Sequence, residues 1–281
     1  MLVSLDKVLK MAQDGGFAIP AFNVYNMETV MGVIKAAEET KAPIIMQVYP
    51  RLVKEEAGYY LAPSVIAASQ KASVPVCFHL DHGPSELEMT RMLRWGATGI
   101  MLDGSACSFD ENVAMTKHAV ETCGYVGVGV EGELGHVGMV TDDSMDDFTE
   151  PEEAARFVKE TGVSCLAVLV GNAHGRYKNT PKLDIDRIAA ISEATNHTPL
   201  VLHGGSGIPD EQIKLAVKSG IRKMNFATDI CYAFQDALQE ELNNPNKSIA
   251  LDNFMKKPIE TVKEFCINKI RLLGAEGKAD N

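Results

Sequence analysis

Apolar runs rich in β-branched residues recur eight times along the chain, most of them followed by a segment whose apolar residues come at helical spacing. The first four runs are FAIPAFNV (17–24), APIIMQV (42–48), VPVCFHL (74–80) and GIMLDG (99–104). The second four are YVGVGVEGEL (125–134), SCLAVLV (164–170), PLVLHGG (199–205) and IRKMNFAT (221–228). Between them lie METVMGVIKAAEET, SELEMTRMLRWG, DENVAMTKHAVETCG, PEEAARFVKETG, DIDRIAAISEAT and PDEQIKLAVKSG. Several of these open on Asp, Ser or Pro followed by acids and close on Gly, as helices start and stop. Near-continuous apolar strands alternating with helices predict parallel strands buried on both faces. Eight such units predict an α/β fold, a single-domain (β/α)8 TIM barrel over residues 1–281 with an additional C-terminal helix. In that last helix Ile259, Val262, Cys266, Ile270 and Leu273 share one face, which has either the barrel or a second subunit to pack on.

Composition narrows the function. A net charge of −11 without a Lys/Arg run argues against a nucleic-acid surface. No stretch approaches the roughly 18 uninterrupted apolar residues of a membrane span. The N-terminal segment, with Leu5, Val8, Leu9 and Ala12 at helical spacing, lacks the apolar core of a signal peptide. The six cysteines form no CxxC and lie mostly in apolar runs, as buried reduced thiols of a cytoplasmic protein do.

Chemistry in such a barrel collects at the C-terminal ends of the strands. Those ends carry Asp81 and His82, Asp103, Glu131 and Glu133, His174, His203, and Asn225 with Thr228. His82, His174 and His203 follow three different strands, and each precedes a glycine. Three imidazoles at one rim with an open fourth position form a familiar catalytic metal arrangement. His79 reads as a supporting or structural residue, and His118, His136 and His197 as loop or surface positions, His136 within reach of the rim. The run HGGSGIPDEQIK sets a glycine-rich turn before a helix N-terminus, a site for an anion such as a phosphate.

Taken together, FHLDHG, VEGELG, GNAHGRYK, LHGGSGIP and KMNFATD resemble, in order, the motifs of the class II zinc-dependent fructose-bisphosphate and tagatose-bisphosphate aldolases. The resemblance runs over nearly the whole chain. It implies an aldehyde-lyase of carbohydrate metabolism that cleaves a phosphorylated ketose to dihydroxyacetone phosphate and an aldehyde. It also implies Zn²⁺ held by His82, His174 and His203, and proton transfer at the C4 hydroxyl by Asp81. Glu131 and Glu133 match the family's ExE motif, beside the metal or as an alternate ligand. The substrate phosphate would rest on Gly175, Gly204, Gly205, Ser206 and Thr228, with Na⁺ or K⁺ nearby and Asn225 at the substrate hydroxyls. A homodimer or homotetramer is the family's usual assembly.

Three departures from the pattern concern the substrate. The family's loop Glu is Thr141 here and its second loop Gly is Met139, so Asp142 or Asp143 is the candidate for the proton at C3. Ala227 stands where many members have Asp or Asn, and Cys231 where many have Arg or Lys for a far phosphate. Strand 2 ends in QVYPRL, with Tyr49 at the family's usual Ser or Thr and Arg51 as an added cation on a loop. These changes fit either tolerated drift or a rebuilt far end that takes a deoxy or sulfonate group instead of a second phosphate. The competing readings are a metal-dependent isomerase or hydrolase on the same barrel, and a non-catalytic partner subunit.

Overall fold

The computed structural model describes residues 1–136, 148–175 and 180–280. Eight parallel strands close into a barrel in sequence order. They are β1 (Ile19–Asn23), β2 (Ile44–Val48), β3 (Val76–Gly83), β4 (Gly99–Leu102), β5 (Gly129–Leu134), β6 (Cys165–Val168), β7 (Leu200–Leu202) and β8 (Ile221–Phe226). The helices begin with α1 (Leu5–Gly15), α2 (Met27–Thr40), α3 (Pro50–Lys54), α4 (Glu56–Lys71), α5 (Glu86–Arg94) and α6 (Phe109–Gly124). They continue with α7 (Pro151–Thr161), α8 (Ile185–Ala194), α9 (Asp210–Lys218), α10 (Thr228–Asn243), α11 (Leu251–Phe254) and α12 (Lys256–Leu272).

The apolar runs overshoot the strands at their ends. The run beginning at Tyr125 is the clearest case: Tyr125 and Val126 are 91% and 63% exposed, and β5 starts only at Gly129. Gly127, at φ 68°, makes a turn there that an L-residue adopts with difficulty. Two helices escape the periodicity. In α4 a proline at position 63 lies inside the helix and two exposed tyrosines, Tyr59 and Tyr60, blur its apolar face. The segment QVYPRL does not continue as a loop: Pro50 occupies the first helical position of α3, where its missing N–H costs nothing.

Local chemistry sets the helix ends. In α2 the Asn26 side chain accepts from Thr29 N at 2.9 Å, and Thr29 Oγ1 accepts from Asn26 N at 3.1 Å, a reciprocal capping box. Ser4 caps α1 by accepting from Lys7 N, and α1 ends on Gly16 at φ 65°. This first helix seals the N-terminal end of the barrel, with Leu5 N donating to Thr98 O at 2.9 Å. Gly99 and Gly129, paired between β4 and β5, leave room for the seal and the layer above it. A Cβ at Gly129 would sit 2.8 Å from Asp6 Oδ1, and one at Gly99 2.6 Å from His79 Cδ2.

The terminal helix packs within the chain. Ile259, Val262, Cys266 and Ile270 of α12, with Leu273 just past its end, are buried. They lie against α2 and α10, and Gly32 of α2 comes so close that a Cβ there would stand 2.6 Å from Val262 Cγ1. No described helix is long and apolar enough to cross a membrane.

Candidate active site

Barrel interiors are usually filled by branched aliphatic side chains. Here the half of the interior nearest the C-terminal strand ends is polar. Asn23, Gln47, His79, Asp81, Glu131, Glu133, Lys223 and Asn225 are all at most 5% exposed. Alternation along each strand places them: Glu131 with Glu133, and Lys223 with Asn225, stand two apart and so share a face.

Asp81 and His82 break that rule, since neighbours on a strand should face opposite ways. The pairing of β3 with β4 shifts register between Leu80 and Gly83, and His82 adopts φ 48°. This irregularity turns both side chains into the same mouth. A non-glycine residue held in the left-handed region costs on the order of 1–3 kcal/mol, a cost typical of functional positions.

Two oriented amides hold Asp81. Asn23 Nδ2 donates to Oδ2 at 2.8 Å and Asn225 Nδ2 donates to Oδ1 at 3.0 Å. Gln47 Nε2 in turn donates to Asn23 Oδ1 at 2.8 Å. Burial opposes the charge on Asp81, but His82, His203, Lys223 and the Asn23 bond outweigh it and hold the carboxyl below its usual range. The group is an ionised acceptor, ready to take a proton.

The three candidate ligands meet. Ring centroids of His82 lie 5.0 Å from His174 and 4.5 Å from His203, and those of His174 and His203 are 5.8 Å apart. One ring nitrogen from each falls within 4.8 Å of the others. His82 Nδ1 is 2.7 Å from Asp103 Oδ2, and His203 Nε2 is 2.8 Å from Glu131 Oε1. A carboxylate accepts, so those nitrogens carry the protons and, in the neutral rings that can ligate, the lone pairs fall on His82 Nε2 and His203 Nδ1. Both of those atoms are buried and make no hydrogen bond among the described residues, although Glu133 Oε2 approaches His203 Nδ1 to 3.1 Å. Metal-binding histidines are held in this way, with one nitrogen donating to a carboxylate and the other left for the ion.

The electrostatics agree. Asp81, Asp103, Glu131 and Glu133 face Lys223 and imidazoles that are neutral when they ligate, and a divalent cation would offset that excess of negative charge. Burial works against a proton on His82, yet Asp81, Asp103 and Glu133 push its pKa up to about 10. For His174, burial together with His82 and His203 pulls the pKa down to about 4. The donor set fits a borderline divalent ion. Asp103 also joins His82 and Glu133 in a second group with ligand spacing.

Beside the imidazoles a small recess is lined by Gly175, Gly204, Gly205, Ser206, Asn225 and Thr228. Its helix N-terminus belongs to α10, whose first residue is Thr228, and none of its described lining comes from α9, the helix the glycine-rich run points to. Ala227 gives α10 no side-chain cap, and Asp229 N donates to Ser206 Oγ at 3.2 Å, so that hydroxyl and the helix N-terminus stand side by side at the recess, where an anion is favoured. Asn172 ties the two loops at this edge: its Oδ1 accepts from Val170 N at 2.8 Å and its Nδ2 donates to His203 O at 3.2 Å. Gly204 has φ 63°, and a Cβ there would stand 2.0 Å from Ala173 O. Gly204→Ala is therefore expected to cost about 2–4 kcal/mol and lower the melting temperature by several degrees, as scanning calorimetry would show.

The wider cavity, about 660 Å³, is lined by Tyr25, Tyr49, Arg51, Asp81, His82, Asp103, His136, His174 and Ala227 among others. Tyr49 packs edge-on to His82 at 6.4 Å. The Arg51 guanidinium lines the cavity and has no hydrogen-bond or ion-pair partner among the described residues. His136 reaches the site through a 3.0 Å contact with Ser105 Oγ. Cys231 is not among the lining residues: its thiol contacts the Tyr25 hydroxyl, whose pKa burial and this neighbour raise. His79 is fully buried, 3.3 Å from Glu131 Oε2, while His118 stands outside, paired with Glu86. Asp142 and Asp143, with Met139 and Thr141, lie outside the described residues. Asn23, Gln47, Asn172 and Lys223 were not singled out from the sequence; a polar side chain near the end of an otherwise apolar strand is the signal that finds Asn23 and Gln47, but not Asn172 or Lys223.

An ionised carboxylate beside a preformed nitrogen cluster is the equipment of a barrel enzyme that moves protons next to a bound cation. The family model described as fructose-bisphosphate aldolase class-II matches residues 3–278, and the chain belongs to that family. It is a class II aldolase, from a metal-dependent family. Among curated relatives, the uncharacterized protein YdjI of Escherichia coli (strain K12) is 40% identical over 268 residues, 94% of each chain. The crystal structure of the YdjI aldolase from Escherichia coli K12 superposes with a TM-score of 0.90 at 37% identity, covering 99% of this chain and 100% of that one. A putative fructose-1,6-biphosphate aldolase from Coccidioides immitis gives 0.87 at 28% identity, covering 98% and 97%. The fructose-bisphosphate aldolase of Campylobacter jejuni gives 0.85 at 25%, covering 99% and 97%.

Proposed function

We propose that the protein is a zinc-dependent aldolase that cleaves a ketose 1-phosphate or ketose 1,6-bisphosphate to dihydroxyacetone phosphate and an aldehyde. The observation that carries this reading is the meeting of Asp81 with three imidazoles beside the glycine-lined recess. His82 through Nε2, His203 through Nδ1, and His174 would hold the ion. When bound, it supplies Lewis acidity at the substrate carbonyl.

The chain's own groups do the rest. Gly175, Gly204, Gly205, Ser206 and Thr228 seat the phosphate, the α10 N-terminus favouring its charge and Na⁺ or K⁺ balancing it. Asn225 meets a substrate hydroxyl. Asp81 accepts the C4 hydroxyl proton, the O–H electron pair becomes the new carbonyl bond, and the C3–C4 bond breaks with its pair retained at C3. Asp142 or Asp143 then delivers a proton to C3. In condensation each transfer runs backwards. The family pattern adds a cytoplasmic homodimer or homotetramer working in carbohydrate metabolism.

The far end of the substrate is where this chain departs from its family. Tyr49 narrows the cavity and Ala227 removes a polar contact, while Arg51 offers a cation that has no partner among the described residues. This favours a far-end group that is deoxy or carries a different anion, such as a sulfonate, over a phosphate read by a cation at position 231. The test is dihydroxyacetone phosphate release from fructose and tagatose 1,6-bisphosphates, their 1-phosphates, and 6-deoxy and 6-sulfo analogues. Release from none of them by the zinc-loaded protein would remove the reading. Arg51→Ala is expected to lower kcat/KM about tenfold or more for an anion-ended substrate, because hydrogen bonds to charged groups are worth about 1.5–3 kcal/mol, and to leave a deoxy substrate unchanged.

A further inference from the structure

A lysine at the centre of a barrel calls for an explanation, because burying an ammonium is costly and a well-packed apolar side chain is often as stable. Lys223 is 0% exposed, and its Nζ lies 2.7 Å from Glu131 Oε2 and 2.7 Å from Asn225 Oδ1. We propose that Lys223 is the positioning residue that sets the direction of hydrogen bonding inside the barrel, and through it the presentation of both Asp81 and His203.

An ammonium has three donors and no acceptor. The Asn225 oxygen must therefore face Lys223, which turns the amide nitrogen to Asp81 Oδ1 at 3.0 Å. In the other direction Lys223 occupies Glu131 Oε2, leaving Oε1 to accept from His203 Nε2 at 2.8 Å. That contact fixes the proton on Nε2 and the lone pair on Nδ1. One donor thus orders two branches, one ending at the proton acceptor and the other at a candidate ligand. Among the described residues the opposite side of Asp81 lacks such an anchor: Gln47 orients Asn23, but Gln47 Oε1 is buried without a hydrogen-bond partner there. A charge that can only donate removes the ambiguity that a neutral amide chain leaves. The Asp81 branch rests on the functional reading above, whereas the His203 branch stands on the histidine cluster alone.

The experiment compares the unaltered protein with Lys223→Met, the neutral pair Lys223→Met/Glu131→Gln, Asn225→Ala, and Lys223→Met/Asn225→Ala. Zinc affinity is read by competition with a chromogenic chelator, steady-state cleavage at saturating zinc with the best compound of the panel, and folding by circular dichroism. Loss of a partner that orients a metal ligand typically weakens the metal 10–100-fold, and that drop is expected in Lys223→Met and in Lys223→Met/Glu131→Gln. At saturating zinc, kcat is expected to fall at least about tenfold in Lys223→Met with KM nearly unchanged. Adding Asn225→Ala to it should cost little more than Asn225→Ala alone, since both act through one amide. Zinc affinity and kcat within twofold of the unaltered protein in a folded Lys223 variant overturn the proposal, as do fully additive effects. Failure of Lys223→Met and of Lys223→Met/Glu131→Gln to fold also overturns it, for the residue would then hold the barrel and not the site. If the unaltered protein cleaves no compound of the panel, the functional reading fails separately, and the zinc comparison still decides the His203 branch.

Discussion

Asp81→Asn is expected to lower turnover by about 10²–10⁴-fold, the usual worth of a positioned proton-transfer group, while zinc per chain stays the same. The geometry explains why so small a change acts twice. Both carboxylate oxygens of Asp81 accept from amide nitrogens, Asn23 Nδ2 and Asn225 Nδ2. An asparagine in its place has one oxygen, so its own NH2 must face another donor. That leaves buried donors unsatisfied at a cost of about 1–3 kcal/mol, visible as a melting temperature lowered by a few degrees. Asp81→Ala removes the base without adding a donor, but it also takes the acceptor from both amides, so its melting temperature should fall as well. Equal losses of kcat in the two variants, whatever the difference between their melting temperatures, would separate chemistry from packing. Turnover within tenfold of the unaltered protein in both would remove Asp81 from its proposed role.

Removal of the metal is expected to have the second large effect. Dialysis against EDTA should reduce cleavage on the order of 10³-fold or more, because Lewis-acid stabilisation of developing charge is worth several kcal/mol. One equivalent of zinc per chain should restore it. The metal-free protein should also melt at a lower temperature, since an ion that binds only the folded state stabilises it. His203→Ala should reproduce the loss without rescue by stoichiometric zinc: it deletes a nitrogen donor and leaves Glu131 Oε1 without the N–H it now accepts. Undiminished cleavage in exhaustive EDTA, with metal analysis showing none bound, would place the chemistry elsewhere.

The barrel was legible in the sequence because strands buried on both faces leave little else for their residues to be. Its edges were less so. In YVGV an apolar β-former and a turn glycine sit side by side, and exposure decides between them only after folding. The helix at Glu56–Lys71 was hidden by its internal proline and exposed tyrosines. The histidines could be read as a cluster because the barrel topology alone brings three separated strand ends together. What holds them could not. Simple alternation would send Asp81 and His82 to opposite faces, and only the shifted register and the left-handed His82 bring both to the mouth. Lys223, in IRKMNF, looks like an ordinary solvent-facing lysine until the strand is closed on both sides. Cys231, at the position where many family members carry Arg or Lys for a far phosphate, stands against Tyr25 and does not line the cavity.

The polar interior also bears on how the molecule comes into being. Asp81 on β3 is held by β1 and β8, and Glu131 on β5 by β8 and by His203 just past β7. Every one of these bonds crosses between strands that are not neighbours in the sheet. A half-built barrel of β1–β4 would bury Asp81 with only one of its two amides, and a β5–β8 half would carry its ion pair without the carboxylate that Asn225 serves. Neither half is a rest stop. Such wiring penalises partial assembly and ties the maturation of the catalytic mouth to ring closure, so that a chain which has folded at all has folded with its chemistry in register.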